Sequence, residues 1–412
     1  MVKKILIIEA YTDSNIGSCA LVENSICLLR MKYPGSEIKL MAHYPKAFDG
    51  RYGVEVVKDV FKYPFLKNRA YQYWWLARTI SWMFFIYVLP KWLSRLFFKK
   101  KVKEYLWADW VISIGAERIN DKYIKNVLFS EYTYKLIKRY KKKMVLFPCT
   151  IGPFLHSWSK KFFKNVAKDI DLIYTRDLES YNVTKQILES YKIKLFNTCD
   201  VAVFQDWRNK KAILYKKYEK PIVGISVMKW TYVANEHKTL YSNYRAYVQE
   251  MVWLIDVLIK KYDVHVTLFP TNYQIHGGIG DDLSVAFEIF NQTENKQDID
   301  IIKNLPTPYE FKSLLSASEI NITTRMHACI LSTGAFVPTI SINYLFKLKE
   351  YMNSLGLSDF SLDIEDFEHS IILDMFDKMW NTRPYWQNHL KNKIEENKHN
   401  LLNAINELDA LL

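Results

Sequence analysis

An arginine and a histidine, Arg325 and His327, stand where the run Ile320-Asn-Ile-Thr-Thr gives way to a stretch of small residues. The run reads as a β-strand, and the small residues as a helix beginning around His327. A guanidinium, an imidazole and a helix N-terminus then converge on one point, which suits a dianionic ligand. Histidine exchanges its proton near neutral pH, so His327 can serve proton transfer there. The competing reading is a surface arginine beside a satisfied core histidine.

Other strand ends carry similar groups. Val337-Pro-Thr-Ile-Ser-Ile-Asn is followed by Tyr344 and Lys347, the latter a further cation for the same anion. Tyr174-Thr-Arg-Asp delivers Arg176 and Asp177 just before a helix. Asp177 is placed as an N-cap; Arg176 either pairs with it structurally or aims at a phosphate or carboxylate. Pro148-Cys-Thr-Ile-Gly-Pro puts Thr150 beside the sharp turn at Gly152-Pro153. After Asp109-Trp-Val-Ile-Ser-Ile, the turn at Gly115 leads to Glu117 and Asp121, carboxylates suited to act on a sugar hydroxyl, although Asp121 equally suits a helix cap. In the first loop, Gly17 permits close backbone approach, and Asn15 and Ser18 offer hydrogen bonds to a ligand. A plain strand–turn–helix junction explains that loop equally well.

Positioning these groups requires strands whose ends share one side. Short apolar runs alternate with amphipathic stretches, the pattern of βα units around parallel sheets. Strands are expected at Lys3–Ala10, Glu37–His43, Trp110–Gly115, Met144–Pro148 and Leu172–Thr175, with helices at 20–32, 123–141 and 158–168. The pattern restarts with strands at Pro221–Met228, Val264–Pro270, Ile299–Ile302, Glu319–Thr323 and Val337–Ile342, and helices at 244–261, 281–291 and 307–317. The expected fold is therefore α/β, two Rossmann-like doubly wound domains facing a cleft, with ligands at the carboxyl ends of the strands. A domain over 1–205 precedes one over 206–383, separated by the polar segment Asp206–Glu219, and a C-terminal helix over 384–412 packs back on the first.

A length of 412 residues also favours two cores over one, and 49% apolar against 25% charged residues excludes a disordered chain. The net charge of +13 attracts phosphates or anionic lipid. No zinc spacing, helix-turn-helix or RNP-like segment points to nucleic acid. The five cysteines lack a Cys-x-x-Cys pair, so reduced thiols are expected rather than disulfides or zinc, and no metal constellation is evident. Met1-Val-Lys-Lys runs straight into Ile5-Leu-Ile-Ile, too short for a signal peptide, which makes the expected location cytoplasmic.

Between residues 71 and 101, tryptophan, tyrosine and phenylalanine mix with lysine and arginine, and the longest uncharged run, Thr79–Pro90, has twelve residues. A bilayer span needs about twenty, so this insertion does not cross a membrane. It reads as a helical hairpin buried on the first domain, as a helix lying in the lipid headgroup zone at the inner face of the cell membrane, or as a dimer contact.

Taken in order, the segments resemble the polysaccharide pyruvyl transferase family: Asn15-Ile-Gly17, Ile114-Gly115 with Asp121, Ile151-Gly-Pro-Phe154, Thr175-Arg-Asp-Leu-Glu-Ser180, Cys199-Asp200, Arg325-Met-His327, and Tyr344 with Lys347. The resemblance spans residues 1–360. It implies a GT-B-like fold, phosphoenolpyruvate as donor, a saccharide (polyprenyl-linked in one version) as acceptor, and no cofactor. It further implies that Arg325 and His327 handle the donor with Arg176 as another anion contact, while acceptor recognition falls to the first domain. Ser18 replaces a usual acidic residue, and Gly115-Ala116 a usual Gly-Gly. Two other readings stay open: a nucleotide-sugar glycosyltransferase of the same architecture, and a non-catalytic, membrane-docked partner in polysaccharide assembly.

Overall fold

In a computed structural model, the apolar runs build two parallel sheets. The structure describes residues 3–59, 61, 68–115, 117, 119–120, 124–207, 219–229, 240–275 and 280–411, without the side chains of 124–129, 131 and 240–243. The chain divides into one unit of Met1–Thr12, Leu21–Cys199 and Leu402–Leu412, and another of Asp13–Ala20 and Asp200–Leu401.

The first part of the chain runs β1 (Lys4–Ala10), α1 (Ile16–Lys32), β2 (Glu37–Ala42), β3 (Glu55–Lys58), α2 (Arg69–Val88), α3 (Lys91–Phe97), α4 (Lys99–Trp107), β4 (Trp110–Ser113), α5 (Ile124–Arg139), β5 (Lys143–Cys149), α6 (Ser157–Ala167), β6 (Leu172–Thr175), α7 (Leu178–Leu188) and β7 (Lys194–Asn197). The sheet order is β3-β2-β1-β4-β5-β6-β7. β4 and β6 are buried along their whole length, as central strands covered on both faces must be. The edge strands β3 and β7 are half-exposed and polar, so their pattern does not stand out in the sequence.

The second unit contains β8 (Ile222–Ser226), α8 (Leu240–Tyr262), β9 (His265–Leu268), α9 (Asp282–Gln292), β10 (Ile299–Ile301), α10 (Pro308–Leu315), β11 (Ile320–Thr323), α11 (Met326–Thr333), β12 (Thr339–Asn343), α12 (Phe346–Ser354), β13 (Ser361–Asp363) and α13 (His369–Asn381), ahead of α14 (Arg383–Ile405). Its order is β10-β9-β8-β11-β12-β13. Both sheets thus reverse direction beside their first strand, and a doubly wound sheet collects ligands at that switch point.

The division falls at Cys199–Asp200 instead of 205/206. Its cause is Lys312, fully buried on α10, whose ammonium donates to the carbonyls of Val203 (3.3 Å) and Gln205 (2.8 Å). This ties the 3-10 turn Val201–Phe204 to the second unit. Most of the polar segment expected to separate the domains lies outside the described residues. Only 402–412 joins the first unit, against the expected 384–412. There Tyr174 donates to the Ala404 carbonyl at 3.0 Å, and Lys32 and Tyr33 both bind Asp409. The earlier turns of α14 bury Leu390 and Ile394, and His389 meets the Leu355 carbonyl at 2.7 Å, all within the second unit.

Helix α1 starts four residues before the expected 20, because Asn15 caps it by accepting from the Ser18 amide at 2.8 Å. β4 stops at Ser113, and the chain turns at Gly115, whose φ of +78° and approach to the Pro148 carbonyl leave no room for a Cβ.

Candidate active site

At the switch point of the second unit, Arg325 is the N-cap residue of α11 and lies directly after β11. Its side chain is buried against Asp282: Nε reaches Oδ2 at 3.0 Å and Nη2 reaches Oδ1 at 2.6 Å. Asp282 is fully buried. It also accepts from the Lys229 and Asn272 amides (3.0 and 3.1 Å), the Thr271 hydroxyl (3.0 Å) and the Asn272 side chain (3.1 Å). Such a fully hydrogen-bonded carboxylate holds a buried guanidinium in one orientation. Arg325 is thus buried, unlike the surface arginine of the competing reading. Tyr344, after β12, sits with its ring centroid 6.0 Å from the guanidinium, so the structure brings these two predicted residues together. Lys347 is buried in the first turn of α12.

His327 occupies the first turn of α11, its side chain 22% exposed. Nε2 lies 3.6 Å from Asp200 Oδ2 and makes no hydrogen bond among the described residues. Asp200 is buried and fixed by accepting from the Ala202 amide at 2.8 Å. The other side of the imidazole rests on Gly17. A Cβ built there would stand 2.3 Å from ring atoms Cγ and Nδ1. Gly17 therefore makes space for the histidine, a neighbour that its place in the first loop does not reveal. Alongside, the Asn15 side-chain amide donates to Asn272, the Ile16 amide reaches the Thr271 carbonyl at 3.1 Å, and Tyr273 reaches Ser14 at 2.9 Å. One network thus runs from Asn15 through Asn272 and Asp282 to Arg325. Ser18 takes part through its amide.

Alanine at Gly17 forces the imidazole or α1 to move, so Gly17→Ala is expected to cost about 1–3 kcal/mol in thermal or chemical unfolding. The double variant Gly17→Ala/His327→Ala removes the collision and should regain most of that loss, a non-additivity that a clash elsewhere would not produce.

In the first unit, Arg176 is buried and donates from Nε to the Thr150 hydroxyl at 2.9 Å. Thr150 donates to Asp177 Oδ2 at 3.1 Å, and Asp177 caps α7 by accepting from the Ser180 amide at 2.7 Å. Thr150, placed by the sequence beside the Gly152-Pro153 turn as a candidate ligand contact, is fully buried within this relay, its hydroxyl committed to Arg176 and Asp177. Gly152, at φ +86°, precedes a cis peptide to Pro153. Glu117 accepts from the Asn120 side chain at 3.2 Å. Asp121 lies outside the described residues.

Three acidic residues at the switch points of the two sheets, each within its own unit, were not singled out from the sequence. Asp282 stands in the Asp281-Asp282 pair, where Asp281 caps α9 and its neighbour points inward. Asp200 appeared as a landmark without a role. Glu9, closing β1, has a left-handed backbone (φ +75°), a strained conformation for glutamate. Its carboxylate accepts from Tyr134 (3.0 Å), Ser130 (3.2 Å) and Ser113 at the switch point of the first sheet. The signal available for Glu9 was an acid terminating an apolar run.

A family model described as polysaccharide pyruvyl transferase matches residues 15–345. The chain is 21% identical over 387 residues to the amylovoran biosynthesis protein AmsJ of Erwinia amylovora, covering 90% of each. Among solved structures, it is similar in fold to MnaA of S. aureus, solved with UDP (TM-score 0.63, 10% identity, 100% and 98% coverage). It is likewise similar to the UDP-GlcNAc 2-epimerase of Neisseria meningitidis, bound to UDP-GlcNAc (TM-score 0.59, 12% identity, 97% and 100% coverage). These likenesses match the fold of GT-B epimerases and glycosyltransferases.

Proposed function

The chain belongs to the polysaccharide pyruvyl transferase family, and from that premise we propose that it transfers an enolpyruvyl unit from phosphoenolpyruvate to a saccharide, forming a pyruvate ketal. The observation that carries this reading is the convergence of Arg325, His327 and the α11 N-terminus at one switch point. Phosphoenolpyruvate bears a phosphate and a carboxylate, and fixed positive groups offset that charge without reorganising. Arg325 and Lys347 are the cations assigned to the donor, with Tyr344 beside them. Arg176 is the anion contact that the first unit offers. Glu9 is its candidate acceptor contact.

His327, held between Gly17 and Asp200, is assigned the proton that activates the donor. That proton passes from the imidazole to the enol methylene, while one sugar hydroxyl oxygen bonds to the central carbon and gives up its proton to a base. The bond from that carbon to the phosphate oxygen breaks, and phosphate leaves with the electron pair. A second hydroxyl closes the ketal, its proton matching the charge on the departing phosphate. Side chains carry every step of this scheme, with no metal or cofactor. Holding two hydroxyls against one carbon supplies much of the acceleration. A saccharide acceptor accords with the family that the chain belongs to.

The test is a thermal-shift comparison of phosphoenolpyruvate with UDP and GDP, followed by mass spectrometry of glycans incubated with enzyme and donor. At a donor concentration ~100 times its Kd the chain should gain about 2.7 kcal/mol of stability, and the glycan should gain pyruvate. Stabilisation by UDP alone would move the assignment to nucleotide-sugar chemistry.

A further inference from the structure

Helix α2 is apolar on two sides, and only one of them is covered. Trp75, Thr79, Met83 and Ile86 are buried, with Met83 and Ile86 joining Val102 and Tyr105 in the core of the first unit. The opposite side shows Tyr73 (71% exposed), Trp74, Ile80, Phe84 (59%), Phe85 and Val88. α3 continues the surface with Trp92, Leu96 and Phe97, each more than 65% exposed. A helix hydrophobic all round is normally buried, and a bare apolar patch of this kind marks a docking face.

The charge around the patch identifies what covers it. From Val60 to Lys103 the sequence contains ten lysines and arginines and no acidic residue. Lys91, Arg95, Lys99, Lys100 and Lys103 are all exposed. Arg78 stacks its guanidinium between Trp74 and Trp82, 4.1 and 4.4 Å from the ring centroids, and Lys101 lies 4.1 Å over Trp82. A second copy of the chain would set these cations against like charges, and protein interfaces are poor in lysine. Anionic headgroups match them, with aromatic rings at the headgroup level and aliphatic side chains below. Among the described residues no helix is long and apolar enough to cross a membrane.

We infer that the α2–α3 face docks in the plane of an anionic bilayer, with Trp74, Phe84, Trp92 and Phe97 inserted and the α4 lysines on the headgroups. Docking needs no turnover, so it stands or falls independently of the donor assignment.

Full-length protein sedimented with phosphatidylcholine–phosphatidylglycerol vesicles, against phosphatidylcholine alone, tests this. Binding should require phosphatidylglycerol and weaken with salt. Lys99→Ala/Lys100→Ala/Lys103→Ala should weaken it about a hundredfold, and Phe84→Ser/Trp92→Ser/Phe97→Ser by at least about as much. All six side chains are exposed, so circular dichroism and the unfolding midpoint should not change. Binding that persists in both variants, or that is absent from the start, overturns the proposal. So does a lipid-free dimer that the aromatic variant dissociates.

Discussion

Asp282→Ala is expected to be the most destabilising single substitution in the second unit, at about 3–5 kcal/mol, the cost of leaving a buried charge without its partner. Arg325 loses both of its bonds to this carboxylate, and the Lys229 amide, Thr271 hydroxyl and Asn272 lose their acceptor together. Arg325→Met is a different loss. It leaves Asp282 still accepting from the other donors, so it should cost only about 1–3 kcal/mol. The double variant removes the orphaned guanidinium and should recover at least about 1 kcal/mol relative to Asp282→Ala. Hydrogen exchange at the β8 and β11 amides in the full chain measures all three. An Arg325→Met variant as damaged as Asp282→Ala would show that the arginine, and not the carboxylate, organises the network.

That ordering also explains which parts of the molecule could be read from the sequence. Interior strands such as β4, β6 and β11 are buried on both faces, so their apolar runs are unmistakable. β3, β7 and β13 lie at sheet edges with half-exposed side chains, and their composition resembles a loop. Arg325 and His327 were legible because both stand at one strand–helix junction. Their partners were not. Asp282 lies 43 residues away along the chain, and Gly17 and Asp200 meet His327 only through the tertiary fold. The insertion at 71–101 was ambiguous for a related reason. Its helix presents apolar residues on both sides, and sequence alone does not say which side the core covers.

His327→Asn tests the chemistry with the fold held constant. Asparagine fills much of the same space above Gly17 but cannot exchange a proton near neutral pH, so donor-dependent phosphate release should fall about 10²–10⁴-fold. The donor KM should change little, because the assigned cations remain. Asp200→Asn separates orientation from proton transfer. The imidazole stays, but the carboxylate 3.6 Å from Nε2 no longer offers a negative partner to the protonated ring. Its turnover should therefore fall by a smaller factor and its pH–rate profile should move, whereas a purely structural Asp200 would lower stability without altering that profile. Turnover by His327→Asn within a few-fold of the parent would remove the histidine from the proton path. The helix N-terminus and Arg325 would then remain as an anion site, and the acid would have to be sought elsewhere.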